Sequence, residues 1–358
     1  MNLTTPQSPA GDGANQRSDL KYTFNESLLM NQMLSYTNIE AAWNRVKANK
    51  GAPGIDGMSI EDFPDCIKPH WRDIREQLRD GSYRPLPVKR VKLPKPDGGE
   101  RPLGIPTVMD RVIQQAIAQV IGPYFEPSFS NFSYGYRPGR NAKQAVTQIR
   151  SYIKEGYKIA VDIDLSKFFD EVNHDLLMNR IGRKIRDKAI LRLLGLYLRA
   201  GIADTESGLL IPTRKGVPQG GPLSPLLSNI LLDELDKELE SRGLHFARYA
   251  DDIIILVKSQ RAGDRVQRSV STFITQRLKL VVNQEKSRVG PVSGSRYLGF
   301  TFKYGRIQIH PKALQLFKAK VRELTNRNWG ISMELQIHKL NQFLRGWGNY
   351  FLIANAYQ

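Results

Sequence analysis

A single cysteine, Cys66, stands among 358 residues, which excludes an internal disulfide framework and any zinc site built on clustered cysteines. Long apolar runs are missing as well. The best stretches, such as Ile253 to Val257 and Leu193 to Leu198, fall far short of the roughly 18 residues that would indicate a membrane span. The histidines, at positions 70, 174, 245, 310 and 338, are scattered, and no two share a metal-ligand spacing. Acids are scarce: 35 Asp and Glu meet 53 Lys and Arg, a formal charge of +18. Such an excess calls for an acidic partner. With no long basic amphipathic helix to seat on anionic lipid, the expected partner is nucleic acid, with no membrane role.

What is present is enough to fold. A hydrophobic fraction of 41% over this length supplies a substantial core and room for more than one subdomain. The first twenty residues are rich in Pro, Gly, Ser and Asn and hold neither an apolar signal core nor an Arg-rich presequence. They are predicted to be a disordered leader, residues 1–20, on a cytoplasmic protein. Organised sequence then continues without a linker. Apolar spacing predicts helices over Asn38 to Val46, from just after Pro106 to a stop at Gly122 and Pro123, and over about Asn141 to Lys154. Further helices are predicted around Asp175 to Ile181, over Lys188 to Leu198, and from the Gly216 to Pro225 loop to about Glu240. The alternating VKRVKL run before PKPDGG reads as a hairpin, and FARYADDIIILV as two strands folded at the acids. Two amphipathic helices close the chain, one carrying Leu314, Phe317, Val321 and Leu324, the other Ile337, Leu340, Leu344 and Trp347.

The chemistry concentrates in Tyr249-Ala250-Asp251-Asp252, two adjacent carboxylates between apolar strands. Buried neighbouring carboxylates repel and raise each other's pKa unless a cation neutralises them, so the pattern points to a divalent metal. An ordinary Asp-Asp hairpin turn is the competing reading. A third acid comes from VDIDLSKFFD, where Asp162 and Asp164 alternate onto one face of a short strand. Hard oxygen ligands from two strands, around ions about 3.5 to 4 Å apart, are what in-line phosphoryl or nucleotidyl transfer requires.

The blocks PKPDGGERPLGIP, YGYRPGRNA, DLSKFFD, GVPQGGPLSPLLSNI, RYADD, NQEKS and YLGF follow one another in an order that resembles the successive blocks of a reverse transcriptase. The closing LNQFLRGWGNYF is similar to the start of a maturase segment, so the nearest family is the bacterial group II intron-encoded reverse transcriptases. The likeness spans about residues 38–355. It implies an α+β fold, a right-hand polymerase with fingers and palm over residues 21–300 and a helical thumb or maturase start over 301–358. It also implies RNA-directed DNA polymerisation with two Mg²⁺ ions, for which Mn²⁺ can substitute, on an RNA template with a DNA or RNA primer and dNTPs, and group II intron RNA as a further partner.

The resemblance assigns roles position by position. In the block with one acid followed six residues later by another, Asp164 and Asp170 fit. Asp164, with Asp251 and Asp252, is therefore the implied metal set, and Asp162 stands in reserve. Phe169 falls where the family places the ring that excludes a ribose 2′-hydroxyl, with Phe168 as its rival. Lys95 and Arg101 match the triphosphate-binding pair of the fingers, and Gln219 matches the loop that meets the incoming nucleotide. Lys286 matches the position that protonates departing pyrophosphate; a salt bridge to Glu285 is the alternative. Tyr297 to Phe300, including Gly299, resembles the hairpin that grips the primer end, with buried hairpin core as the alternative for Tyr297. Arg137 and Arg140, beside Tyr134 and Tyr136, suit template contacts.

Residues 301–358 hold nine Lys or Arg against Glu323 and Glu334, so this segment is expected to face phosphates, Lys318 and Arg322 among them. Full members of the family often continue into a longer maturase region and a Cys/His-containing endonuclease, and this chain is expected to lack the endonuclease and most of the maturase region. Two other readings share the motifs: a splicing cofactor that clasps intron RNA, and a reverse transcriptase recruited to host defence.

Overall fold

The computed structural model describes residues 27–94, 99–204 and 207–354. The leader predicted for residues 1–20 and the candidate Lys95 lie outside them. The chain opens with four helices, α1 (Leu28–Met33), α2 (Tyr36–Ala48), α3 (Phe63–Ile67) and α4 (Trp71–Asp80). The predicted hairpin follows as β1 (Val88–Pro94) and β2 (Glu100–Ile105), antiparallel with Lys89 opposite Ile105 and Pro94 opposite Glu100. Next comes α5 (Val108–Phe125), whose first turn is capped by the Thr107 hydroxyl accepting from the Asp110 N–H. It runs past the stop predicted at Gly122 and Pro123. A proline in the last turn forfeits only one hydrogen bond, and Phe125, which is buried, anchors that turn in the core.

After α5 come α6 (Ala142–Lys154), β3 (Ile159–Ile163), α7 (Phe168–Glu171), α8 (His174–Gly182) and α9 (Lys188–Leu198). Short strands β4 (Ile202–Asp204) and β5 (Leu210–Ile211) extend the hairpin into a four-stranded sheet of order β2-β1-β4-β5, in which β1 and β4 run parallel. Helix α10 (Ser224–Ser241) leads to β6 (His245–Tyr249) and β7 (Asp252–Val257), then α11 (Gln260–Phe273) and β8 (Arg288–Pro291). These strands form a second sheet, β6-β7-β3-β8, antiparallel throughout. A separate hairpin, β9 (Phe300–Lys303) with β10 (Arg306–Ile309), precedes α12 (Pro311–Leu324) and α13 (Met333–Phe351).

The fold is α+β, and side-chain alternation in the second sheet divides its packing. Val161, Ile163, Ile253 and Ile255 enter the main core with α5, α10 and α11. Ala160, Ile254 and Leu256 face a smaller core with α6 and the β9–β10 hairpin. That smaller core reaches Phe300, Phe302 and Ile307, so the boundary expected at 300/301 falls inside packed structure and the helical hairpin begins at Pro311. There Phe317 stacks on Phe343 at 5.7 Å and meets Trp347 at 4.2 Å, while no residue of α13 is fully buried.

Candidate active site

The acids lie just beyond one end of the β3–β7 pairing. Ile163 lies opposite Ile253, so the next step of the antiparallel register sets Asp164 against Asp252. Ile163 and Ile253 both point into the main core, and alternation turns the two carboxylates to the opposite face. Asp251 sits in the two-residue connection between Tyr249 and Asp252, where Ala250 adopts φ +57°. The segment after α11 holds Asp164 in place from both sides: the Asn283 N–H donates to its carbonyl at 2.9 Å, and its own N–H donates to Ser287 Oγ at 3.1 Å.

Asp162 and Asp164, equivalent by strand alternation, differ in their partners. Arg288 Nε donates to Asp162 Oδ2 at 3.0 Å. Burial pushes the Asp162 carboxyl above the usual carboxylate range, against the pull of hydrogen bonds from Arg288 and Ser295. No cation pairs with Asp164 among the described residues. Asp164, Asp251 and Asp252 offer the hard oxygen donors a divalent ion prefers. Among the described residues, no group of three or more His, Cys, Asp or Glu side chains is arranged to hold a metal ion. Two-ion nucleotidyl-transfer sites take further ligands from the nucleotide's phosphates, so an open carboxylate edge suits that chemistry.

A cavity of ≈ 380 Å³ gathers Phe169, Gln219, Tyr136, Arg111 and Gly220. Phe169 is half-buried on its wall, whereas Phe168 is 3% exposed within the main core. Phe169 thus faces the cavity, while Phe168 packs in the core. Gln219 is held at the backbone, its carbonyl accepting from the Gly104 N–H of β2 at 2.9 Å. Gly220, at φ +127°, permits that approach, since a Cβ there would lie 2.8 Å from the Gly104 carbonyl oxygen.

Arg111 escaped the sequence reading. The first two turns of α5 are buried all round, and a charge inside such a stretch is the available signal. Its Nη2 donates to the Ala52 carbonyl at 2.8 Å, and its Nε has no hydrogen-bond partner among the described residues.

The remaining candidates divide. Arg101 lies on β2 opposite Leu93. Lys286 is exposed on the turn that braces Asp164 and pairs with no carboxylate among the described residues, Glu285 included. Arg140 stays at the surface over Tyr134, bonded to Asn131. Arg137 does not face outward: it is 9% exposed, and its nitrogens bind Glu126, Ser130 and Ser133. Its guanidinium locks the loop, which corrects the expected template contact. Tyr297 is buried in the smaller core, so its ring supports the hairpin from within instead of touching a primer. Gly299, at φ +82°, turns beneath the Phe351 ring of α13, and Tyr350 donates to the Leu298 carbonyl at 3.0 Å. Lys318 and Arg322 are exposed on α12, while Lys320 pairs with Glu323.

The family model for reverse transcriptase (RNA-dependent DNA polymerase) matches residues 93–302. The chain belongs to the reverse transcriptase family. The model for the group II intron maturase-specific domain matches residues 314–358 of this reverse transcriptase. Protein YkfC of Escherichia coli (strain K12) is 31% identical over 73% of this chain and 80% of its own length. Group II intron-encoded protein LtrA of Lactococcus lactis subsp. cremoris is 34% identical over 69% of this chain but only 40% of its own length. The reverse transcriptase described here thus spans well under half of that intron protein. In fold it resembles telomerase from Candida tropicalis, solved with a TWJ fragment of telomeric RNA, at a TM-score of 0.50 and 14% identity over 79% of this chain and 57% of that one. The enzyme class is RNA-directed DNA polymerase of group II intron type, a family that uses divalent metal ions. No helix among the described residues is long and apolar enough to cross a membrane.

Proposed function

We propose that this reverse transcriptase copies a primed RNA template into DNA by a two-Mg²⁺ mechanism, with Asp164, Asp251 and Asp252 holding the ions. The observation that supports the proposal is the β3–β7 register, which ends with Ile163 opposite Ile253, one residue short of Asp164 on one strand and of Asp252 on the other. Bound there, divalent ions would lower the pKa of the primer hydroxyl and stabilise the departing pyrophosphate. The chain's own residues supply position. Phe169 and Gln219, on one cavity wall, bound the space for sugar and base, and Lys286 stands by Asp164 as the proton donor to pyrophosphate. Arg140 and the exposed Lys318 and Arg322 contact template and primer backbone.

Asp164→Asn or Asp251→Asn is expected to reduce primer extension by several orders of magnitude while RNA binding persists, because an amide is a poor ion ligand but barely changes a surface of this charge. Near wild-type extension by both variants would refute the assignment. The maturase-specific match at residues 314–358 supports a second role, binding of group II intron RNA. Splicing of an intron transcript with and without the protein tests it.

A further inference from the structure

We propose that Arg248 is the positioning residue of the Tyr249–Asp252 turn, tying the candidate metal carboxylates to α10 and to the Ser133–Gly135 loop through one buried guanidinium. The proposal deepens the polymerase reading above and rests on it for the role of the acids. Arg248 is 0% exposed. Its five N–H groups find five acceptors. Nε donates to Asp236 Oδ1 at 2.7 Å and Nη2 to Asp236 Oδ2 at 2.5 Å, a bidentate pair with α10. Nη2 also donates to Ser133 Oγ at 2.7 Å, and Nη1 to Asn229 Oδ1 at 3.0 Å. The fifth bond goes from Nη1 to the carbonyl oxygen of Ala250, at 2.9 Å.

That last bond gives the arrangement its function. Ala250 is held at φ +57°, a conformation an alanine seldom adopts without support from its surroundings. The Arg248 guanidinium fixes the Ala250 carbonyl from one side. From the other, Gly135 lies so close that a Cβ on it would stand 2.3 Å from the Ala250 nitrogen and 2.9 Å from the Tyr249 carbonyl carbon. Asn229 joins the two clamps, accepting from Arg248 and donating through Nδ2 to the Gly135 carbonyl at 2.9 Å. The backbone repeats the connection, with the Arg248 N–H donating to the Phe132 carbonyl and the Tyr134 N–H to the Arg248 carbonyl, at 2.9 and 2.8 Å.

A guanidinium can do this and an ammonium cannot. Lysine would keep a charge opposite Asp236 but has three donors and no planar fork, so it cannot hold Asp236 bidentately and reach Ser133, Asn229 and Ala250 as well. The sequence blocks FSYGYRPGR and RYADD therefore work as one device, in which the first sets the position of the second. Displacing the turn moves Asp251 and Asp252 relative to Asp164, which is braced separately by Asn283 and Ser287.

The test uses the full chain carrying Arg248→Lys or Gly135→Ala. Gly135→Ala displaces the turn while leaving the Arg248–Asp236 pair intact, so refutation remains available if Arg248→Lys does not fold. Three quantities are read: single-turnover extension at saturating dNTP, affinity for primer–template, and Mn²⁺ binding by electron paramagnetic resonance without nucleotide. The expected result is a loss of tenfold or more in the extension rate and weaker Mn²⁺ binding, with primer–template affinity changed less than about twofold. A general structural defect would lower all three together and overturn the proposal. So would a folded Gly135→Ala variant with wild-type extension and Mn²⁺ affinity. If the wild-type chain fails to extend primers yet both variants still lose Mn²⁺ affinity, the polymerase reading falls while the positioning role stands.

Discussion

Replacing Lys318 and Arg322 with Gln gives the sharpest test of how α12 meets nucleic acid. The two are exposed and four residues apart, so they share one side of the helix, whereas Phe317 turns inward to Phe343 and Trp347. Lys320, between them in sequence, is already paired with Glu323 and offers no net charge to a phosphate. The double variant therefore removes two available cations. Each phosphate contact contributes about 0.7 to 0.9 to the slope of log affinity against log salt, so the double variant should flatten that slope by about 1.4 to 1.8. At the upper value, wild type should lose about 12-fold more affinity than the variant between about 50 and 200 mM salt. Lys320→Gln alone should leave the slope unchanged. Fluorescence anisotropy of a labelled primer–template across a salt series measures all three proteins. An unaltered slope in the double variant, or equal flattening by Lys320→Gln, would refute the reasoning.

Phe169→Ala should raise ribonucleotide incorporation relative to deoxynucleotide in a competition assay by opening the cavity wall, whereas Phe168→Ala should cost about 3 to 5 kcal/mol of stability without shifting that ratio. Arg137→Ala should lower stability in urea denaturation by about 1 to 3 kcal/mol, because Glu126 and two carbonyls lose their donor, yet leave the salt slope for template binding intact. Buried Asp110 accepts from Tyr83, Thr107, Tyr197 and the Leu86 N–H, so Asp110→Asn, which puts an amide against two of those donors, should cost about 1 to 3 kcal/mol. Burial holds the Asp110 carboxyl above the usual carboxylate range. Its contribution to stability is therefore greatest below about pH 4 and shrinks as pH rises through the elevated folded value; the variant should lack that slope in a pH series of denaturation curves.

Where local pattern and packing agree, the fold was legible from the chain. The span Lys188 to Leu198 matches α9 at both ends, because Asp187 caps it and Ala189, Ile190, Leu193, Leu194, Tyr197 and Leu198 form a continuous buried face. Helix α11 went unread because its buried Gly263, Val266 and Val270 are diluted among Arg261, Asp264, Arg265 and Arg268. In α4 only Trp71, Ile74 and Leu78 are apolar, too few to stand out. Strands of two or three residues, such as β4 and β5, leave no periodicity to detect. At the candidate site, the carboxylates and the aromatic pair were visible as local patterns. What separates Asp162 from Asp164 is Arg288, more than a hundred residues downstream, and only the folded sheet brings it near. Arg137 misleads for the same reason: a basic residue beside aromatics looks like a ligand contact until its partners are seen.

The strand order β6-β7-β3-β8 also bears on how the molecule forms. Strand β3 lies between β7 and β8, so Asp164 waits for partners that begin nearly ninety residues later in the chain. Closing such a loop costs entropy before any contact repays it, and pairings of this kind are slow. During synthesis, the helices α1 to α9 can emerge and collapse while the strand that leads into Asp164 still has an open edge on each side. Such an edge invites pairing with another chain. Catalytic competence should therefore arrive late and abruptly, once the segment through Pro291 has left the ribosome. Conditions that slow translation between Asp164 and Pro291 should favour aggregation more than comparable delays elsewhere in the chain.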